Sequence, residues 1–132
     1  MTRPTRSLTS ITIVSILLLC GCGFKKSPSD IVKATYMAAN SGQYSEVEKH
    51  LSNEALRTIN GPQGSSSGGL KGIFDKKTRN GNIEKIEVER EFIKDDQAVV
   101  NIMLHLKDGR RAEDAVILIK EGGEWKLDRN IL

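Results

Sequence analysis

Residues 97–120 read QAVVNIMLHLKDGRRAEDAVILIK and decide the fold, because two alternating apolar segments surround one turn. An apolar residue at every second position is typical of a strand with one buried face. Asp108-Gly109 is a frequent type of hairpin turn, and a two-residue turn there aligns six apolar residues on one face. These residues are Ala98, Val100, Ile102, Ala115, Ile117 and Ile119. We expect the rest of the chain to cover this face.

The opposite face of the hairpin has a mixed composition and is expected to point away from the covering helices. Its apolar members are Val99, Met103, Val116 and Leu118. An apolar centre with a charged border, here Lys85 and the glutamates of residues 87–91, is typical of a protein interface. A solvated sheet surface with scattered aliphatic side chains would give the same pattern, and both interpretations stay open.

Period-two alternation begins after Asn82 and predicts four strands in all. They span residues 83–93, 97–107, 110–120 and 124–130. Short connections require antiparallel neighbours, so the sheet is predicted to be a meander.

The other two connections of the meander are predicted to be three-residue loops. A loop at 94–96 turns the glutamates of the first strand outward, which avoids buried carboxylates. The residues that it turns inward are Ile86, Val88 and Phe92. A loop at 121–123 places Trp125 opposite Ile119.

Helix signals precede the strands. Ser27 and Asp30 form a capping pattern around Pro28, which suits the first helical position, and Gly42 ends the helix. Helices followed by an antiparallel meander predict an α+β fold.

The segment between this helix and the strands contains shorter signals. Ser45 and Ser52 predict two further helix starts. The glycine- and serine-rich residues 61–69 predict a mobile loop, and residues 70–79 predict one more helical turn.

Several phrases of the sequence resemble the nuclear-transport-factor-two-like, cystatin-like superfamily, and within it a small bacterial lipoprotein domain of unknown function. The phrases are Pro28–Ala34, Asn40–Tyr44, Gln97–Val100, Lys107–Gly109 and Gly123–Leu127. The resemblance implies N-terminal helices packed on a curved four-stranded sheet that forms a cone. In such folds the cone holds an enzyme pocket, a ligand cavity or a protein-binding surface, so the fold alone names no function.

Three polar residues are candidates for a pocket inside the cone. In the predicted register, Arg90 lies opposite Val100 and Glu113 opposite Leu104, with Tyr36 at the helix margin. Together they predict a site for a small polar ligand or an isomerase-like reaction. The structural alternative is that Arg90 extends to solvent from an edge strand and Glu113 lies beyond the helix.

No catalytic, metal or cofactor site is predicted from the remaining motifs. His50 and His105 have no partner at metal-ligand spacing. The glycine-rich residues 61–69 lack the lysine and the strand-to-helix context of a phosphate loop. A non-catalytic binding or assembly module is therefore favoured over an enzyme.

The N-terminus has the pattern of a secretory signal. Arg3 and Arg6 precede the apolar residues 8–19. Twelve helical residues extend about 18 Å, whereas a bilayer core is about 30 Å thick, so this segment is too short to span the membrane as a helix.

Leu19-Cys20-Gly21-Cys22 resembles a bacterial lipobox, with an aliphatic residue three positions before the modified cysteine and a small residue directly before it. The resemblance implies cleavage after Gly21 and acylation of Cys22. It divides the chain into a signal peptide (1–21), an acylated cysteine with its tether (22–28) and a domain (29–132). An unmodified secretion signal, or a CxC metal or redox motif, is the alternative.

Anchoring decides the expected location and partners. In proteins with this motif an aspartate after the cysteine holds many at the inner membrane, and here that residue is Gly23. We therefore expect an outer-membrane lipoprotein facing the periplasm, bound to the bilayer through Cys22. The outer sheet face is the expected contact for a second copy or another envelope protein.

The charge of the chain argues against a nucleic-acid partner. The full sequence carries a formal charge of +3, and removal of the signal peptide removes two arginines and no acid, which leaves +1. Nucleic-acid binding needs a clustered cationic face, which this balance does not indicate.

Overall fold

The computed structural model describes residues 25–131 and contains five α-helices followed by four strands. The helices are α1 (Pro28–Asn40), α2 (Tyr44–Lys49), α3 (Asn53–Ile59), α4 (Pro62–Ser66) and α5 (Gly69–Lys77). The strands are β1 (Ile83–Lys94), β2 (Gln97–Leu106), β3 (Arg111–Glu121) and β4 (Glu124–Leu127), and a 3-10 turn (Arg129–Ile131) follows them. The sheet is an antiparallel meander in the order β1-β2-β3-β4, which confirms the predicted α+β fold. The predicted signal peptide and Cys22 lie outside the described residues.

Helix α1 begins as the sequence predicts and covers one face of the sheet. The Ser27 side chain accepts a hydrogen bond from the Asp30 backbone, and the Asp30 side chain accepts one from the Ser27 backbone, which completes a capping box. Val32 and Tyr36 are fully buried. The helix contacts β1, β2 and β4.

Both ends of α1 are bonded to the edge strand β1. Near the helix start, the backbone N–H and the hydroxyl of Ser29 donate to one oxygen of Glu91, the former over 2.9 Å. At the helix end, the Asn40 side chain accepts from the Ile83 N–H at 2.8 Å and donates to the Ile83 carbonyl at 3.4 Å. Because β1 is an edge strand, Asn40 supplies the backbone hydrogen bonds of Ile83 that a further strand would otherwise supply.

The shorter helices differ from the predictions at two points. Helix α2 follows Gln43, whose side chain makes no capping bond, so the predicted cap at Ser45 is wrong. Ser52 caps α3 as predicted, accepting from the Ala55 N–H at 3.0 Å.

Residues 61–69 contain helix α4, so the prediction of a loop is wrong for Pro62–Ser66. A Cβ atom at Gly64 would lie 1.7 Å from the carbonyl oxygen of Ile59, and one at Gly72 would lie 1.9 Å from that of Ser67. Glycine is needed at both positions because the backbone of a neighbouring segment passes so close. At Gly64, one of the glycines that suggested a loop, glycine is therefore required by tight backbone packing inside a helix.

The β2–β3 register differs by one residue from the prediction. Leu106 and Arg110 enclose a three-residue loop, and Gly109 has a φ of +86°. A type I turn followed by a glycine in this conformation is a common hairpin loop. Val100 therefore lies opposite Val116 instead of Ile117. The prediction was right about the covered residues of β2 and wrong about those of β3, because one residue exchanges the two faces.

The β1–β2 register changes along the strand. Val88 lies opposite Ile102 as predicted, but a bulge at Glu89 shifts the pairing, so Phe92 lies opposite Val99. The turn closes on Lys94 and Gln97 with two residues instead of three. The predicted inward position of Phe92 is therefore wrong.

The β3–β4 connection also has two residues instead of three. Gly122 and Gly123 both have positive φ, of +60° and +80°, as a type I′ turn requires. Trp125 consequently lies opposite Lys120, and the expected pairing with Ile119 is wrong.

The core lies between α1 and the even-numbered residues of β2 and β3. Its fully buried members in these strands are Ala98, Val100, Ile102, Leu104, Leu106 and Leu118. Ile73 and Phe74 of α5, which lie in the predicted helical segment 70–79, close one side of this core.

The register can be tested with neighbouring residues of β3. Leu118→Ala is expected to lower the free energy of unfolding by about 2–5 kcal/mol, because it leaves a cavity in the core. Ile117→Ala is the control, with an expected change below about 1 kcal/mol, since Ile117 is exposed. Urea denaturation measures both, and a larger effect at Ile117 would contradict the register.

Candidate functional site

The structure does not bring the predicted pocket residues Tyr36, Arg90 and Glu113 together. Tyr36 is fully buried beneath the covered face of the sheet. Glu113 is exposed and lies opposite Met103 on the outer face, because of the one-residue register difference. Arg90 is exposed and lies opposite Asn101, because the bulge at Glu89 changes its side of the strand.

Tyr36 instead forms a polar cluster with Asp114 and Lys77. Its hydroxyl donates to the Asp114 carboxylate, and the Lys77 ammonium lies 2.9 Å from the same oxygen. Burial, and then the Asp114 charge, raise the pKa of Tyr36 well above its ordinary value of 10.0. Tyr36 is therefore a protonated donor over the physiological pH range.

The surroundings of this cluster favour a structural role. The Tyr36 and Phe74 rings meet edge to face, with centroids 5.2 Å apart. Within residues 25–131, every buried side-chain nitrogen or oxygen has a hydrogen-bond partner. The cluster links α1, α5 and β3 without leaving a buried polar atom free to bind a ligand. The predicted register missed Asp114 because it placed this residue on the outer face.

A small cavity opens beside this cluster, at the C-terminal ends of α1 and α5. Its volume is about 160 Å³, and Tyr36, Asn40, Tyr44, Asp75 and Thr78 are among its walls. Ligand sites usually measure about 300–1,000 Å³. The cavity is smaller than that range, so it does not favour a substrate pocket in the cone.

The outer face of the sheet carries an exposed apolar row, which consists of Phe92, Val99 and Ile117. Phe92 lies opposite Val99, and Val99 lies opposite Ile117, so the three side chains are adjacent across β1, β2 and β3. Their exposed fractions are 60%, 36% and 37%. Such a contiguous apolar surface is typical of a protein contact.

The predicted interface overlaps this row only in part. Val99 and Met103 lie on the outer face as expected, but Val116 and Leu118 are buried in the core. Met103 lies between Glu87 and Glu113. The apolar row is therefore followed along the strands by a charged region.

A second open site, the basic groove, lies at the other side of the domain and has a volume of about 630 Å³. Its side chains come from the start of the described chain, α1, the end of α2 and strand β4. They are Lys25, Lys26, Ile31, Lys49, His50, Glu124, Trp125 and Lys126. Sequence analysis missed this groove because its members are far apart in the chain.

Ion pairs and a backbone contact hold part of the basic groove together. The Lys126 ammonium donates to the Lys49 carbonyl at 2.5 Å and lies 3.4 Å from Glu124. Lys49 lies 2.7 Å from Glu46. Burial lowers the pKa of His50, and the charges of Lys26 and Lys126 lower it further.

Residues 25–131 contain no cluster of three side chains that could hold a metal ion. Among the helices of this part of the chain, none is long and apolar enough to span a bilayer.

A family model described as "Domain of unknown function (DUF4878)" matches residues 20–128, which include the whole sheet and all five helices. The chain belongs to the DUF4878 family. A search of curated proteins gives no match to this DUF4878 chain.

Solved structures that are similar to this chain come from several bacteria. A Campylobacter jejuni protein whose name suggests an NTF2-like transpeptidase superposes with a TM-score of 0.59 at 18% identity, covering 78% of the DUF4878 chain and 98% of its own. An NTF2-like protein of unknown function from Cytophaga hutchinsonii gives 0.44 at 17% identity, covering 80% and 90%. Another from Burkholderia pseudomallei gives 0.36 at 14% identity, covering 76% and 87%. The Campylobacter structure shows that DUF4878 has the NTF2-like (nuclear-transport-factor-two-like) fold.

The polar cluster of this DUF4878 domain can be tested by removing one hydroxyl. Tyr36→Phe is expected to lower the free energy of unfolding by about 1–2 kcal/mol, since Asp114 loses a buried donor. Tyr44→Phe is the matched control with an expected change below about 0.5 kcal/mol, because the Tyr44 hydroxyl makes no hydrogen bond within residues 25–131. Thermal denaturation measures both, and equal effects would contradict the structural role of the cluster.

Proposed function

We propose that the protein is a lipid-anchored bacterial envelope protein that acts as a non-catalytic binding or assembly module. Acylated Cys22 holds it on the outer membrane, with the domain in the periplasm. The outer face of the sheet is its contact surface for a second copy or another envelope protein. The apolar row is the observation that carries the binding role.

The N-terminal sequence supports the anchor. A basic start, a short apolar segment and small residues before Cys22 form one continuous lipoprotein signal. Several acyl chains on one cysteine, at about 0.8 kcal/mol per buried methylene, give a stable attachment. Helix α1 begins at Pro28, six residues after Cys22, so the domain follows the proposed anchor with only a short connection.

The exposure of the apolar row supports a protein contact. Phe92 is the most exposed large apolar side chain in the described chain, and it lies beside Val99 on the same face. Complete burial of a fully exposed side chain of this kind contributes roughly 1.5–3 kcal/mol, so burial of the surface that each of the three still exposes would contribute a part of that. A partner that covers the row would recover part of this free energy.

The interior favours a binding module over an enzyme. The small-ligand or isomerase-like alternative depended on Tyr36, Arg90 and Glu113 pointing into one pocket, and Arg90 and Glu113 point outward instead. The Campylobacter protein's name suggests a transpeptidase, but 18% identity carries only the fold to this chain.

Metabolic labelling with an alkyne-bearing fatty acid tests the anchor. The wild-type protein and the Cys20→Ser variant are expected to incorporate the label, because Cys20 leaves with the signal peptide. Cys22→Ser is expected to lose the label completely, since it removes the acylated sulfur. Labelling that depends on Cys20 instead, or on neither cysteine, would contradict the anchor.

Photo-crosslinking in intact cells tests the contact surface. A photoreactive residue at Val99 is expected to give one discrete protein adduct, whereas Met37, an apolar residue of α1 that is 42% exposed, serves as the matched control. The double variant Phe92→Ser/Ile117→Ser is expected to lower the adduct at Val99 about tenfold or more, as for central interface residues. Equal adducts at Val99 and Met37 would contradict a role for the outer face.

A further inference from the structure

The basic groove brings positive charge to the point where the described chain begins. Lys25 and Lys26 line it from the N-terminal end, and Lys49 and Lys126 line it from α2 and β4. The carboxylates of Glu46 and Glu124 pair with Lys49 and Lys126, which leaves the charges of Lys25 and Lys26 in excess. The groove therefore keeps a net positive charge that no ion pair within residues 25–131 neutralises.

The proposed anchor would place this groove next to a bilayer. Cys22 precedes Lys25 by three residues, and three residues of extended chain span at most about 11 Å. The Debye length at physiological salt is about 8 Å, so Lys25 interacts with lipid headgroups wherever the tether is less than fully extended. A domain on so short a tether cannot turn the groove far from the membrane surface.

The remaining chemistry of the groove fits the same surroundings. Trp125 forms part of the wall and is the single tryptophan of the chain. Tryptophan and lysine are the side chains that favour the headgroup region, because each combines an apolar portion with a polar end. Trp125 is only 9% exposed, so its indole lines the groove as part of the wall, and the ammonium groups are what the groove offers to phosphate.

We propose that the basic groove docks the domain on the anionic phospholipid headgroups of the membrane that holds its anchor. This inference rests on the proposed acylation of Cys22. Docking fixes the orientation of the domain, so that one side faces the bilayer and the sheet is held in a constant position above it. The occupant of the groove is the phosphate of a lipid, not a soluble anion.

Quenching of Trp125 fluorescence tests the docking. The full acylated chain is purified, its acyl group is verified by mass spectrometry, and it is reconstituted into vesicles that contain a lipid with a spin-labelled headgroup. We expect strong quenching in phosphatidylcholine vesicles that include phosphatidylglycerol, and weak quenching in phosphatidylcholine alone. In about 1 M salt, where the Debye length is about 3 Å, the difference should vanish.

A pair of charge variants tests whether the lysines of the basic groove cause the docking. Lys25→Gln/Lys26→Gln is expected to lower the ratio of docked to undocked protein about 25-fold, because each lysine near an anionic surface contributes about fivefold. Lys76→Gln/Lys107→Gln is the matched control, since these residues lie outside the groove and carry the same charge. Circular dichroism verifies that both variants are folded.

The outcomes separate docking from anchoring. Equal quenching in neutral and anionic vesicles overturns the docking while leaving the anchor intact. An equal loss of quenching in the groove variant and the control variant does the same. Displacement by inorganic phosphate at matched ionic strength assigns the groove to a soluble anion and also overturns it. If the mass shows no acyl group, the anchor fails, and flotation of the same full chain with anionic but not neutral vesicles still supports the groove.

Discussion

Helix α1 covers the apolar face of the sheet, and side-chain contacts hold it there from end to end. Ser29 and Asn40 bond its two ends to β1, and Tyr36 reaches β3 between them. Helix α1 is thus hydrogen-bonded to β1 and to β3, the two strands that flank β2. Helix α1 keeps the leucine and isoleucine side chains of β2 out of water, and burial of each contributes about 1.5–3 kcal/mol to the free energy of folding. The filled interior, the exposed outer face and the absence of a large cone pocket in residues 25–131 all depend on this packing.

Much of this architecture could be predicted from local signals, because those signals act over a few residues. The capping box at Ser27 marks the start of α1, and period-two alternation marks the strands. Register could not be predicted in the same way, since it depends on loop conformation. The loop before Arg110 has one residue more than Asp-Gly suggests, and the loop between β3 and β4 has one residue fewer than expected. Each change of one residue exchanges the two faces of a strand.

The errors in register placed several candidate site residues on the wrong face of the sheet. Glu113 was predicted to lie inside the cone and its neighbour Asp114 outside, and the structure reverses them. The apolar row was predicted in part, through Val99, because β2 was assigned to the correct faces. The basic groove had no signal in the sequence, since tether, helix and strand meet there only in the folded chain. Sites of this kind require tertiary structure.

The bulge at Glu89 has a consequence for how strand β1 tolerates change in length. On one side of the bulge, Ile86 and Val88 pack against the core, and on the other side Phe92 points to solvent. Deletion of one residue at this position would move either Ile86 and Val88 or Phe92 to the opposite face of the sheet. Strand β1 is therefore expected to tolerate the substitution of an exposed side chain better than the loss of one residue.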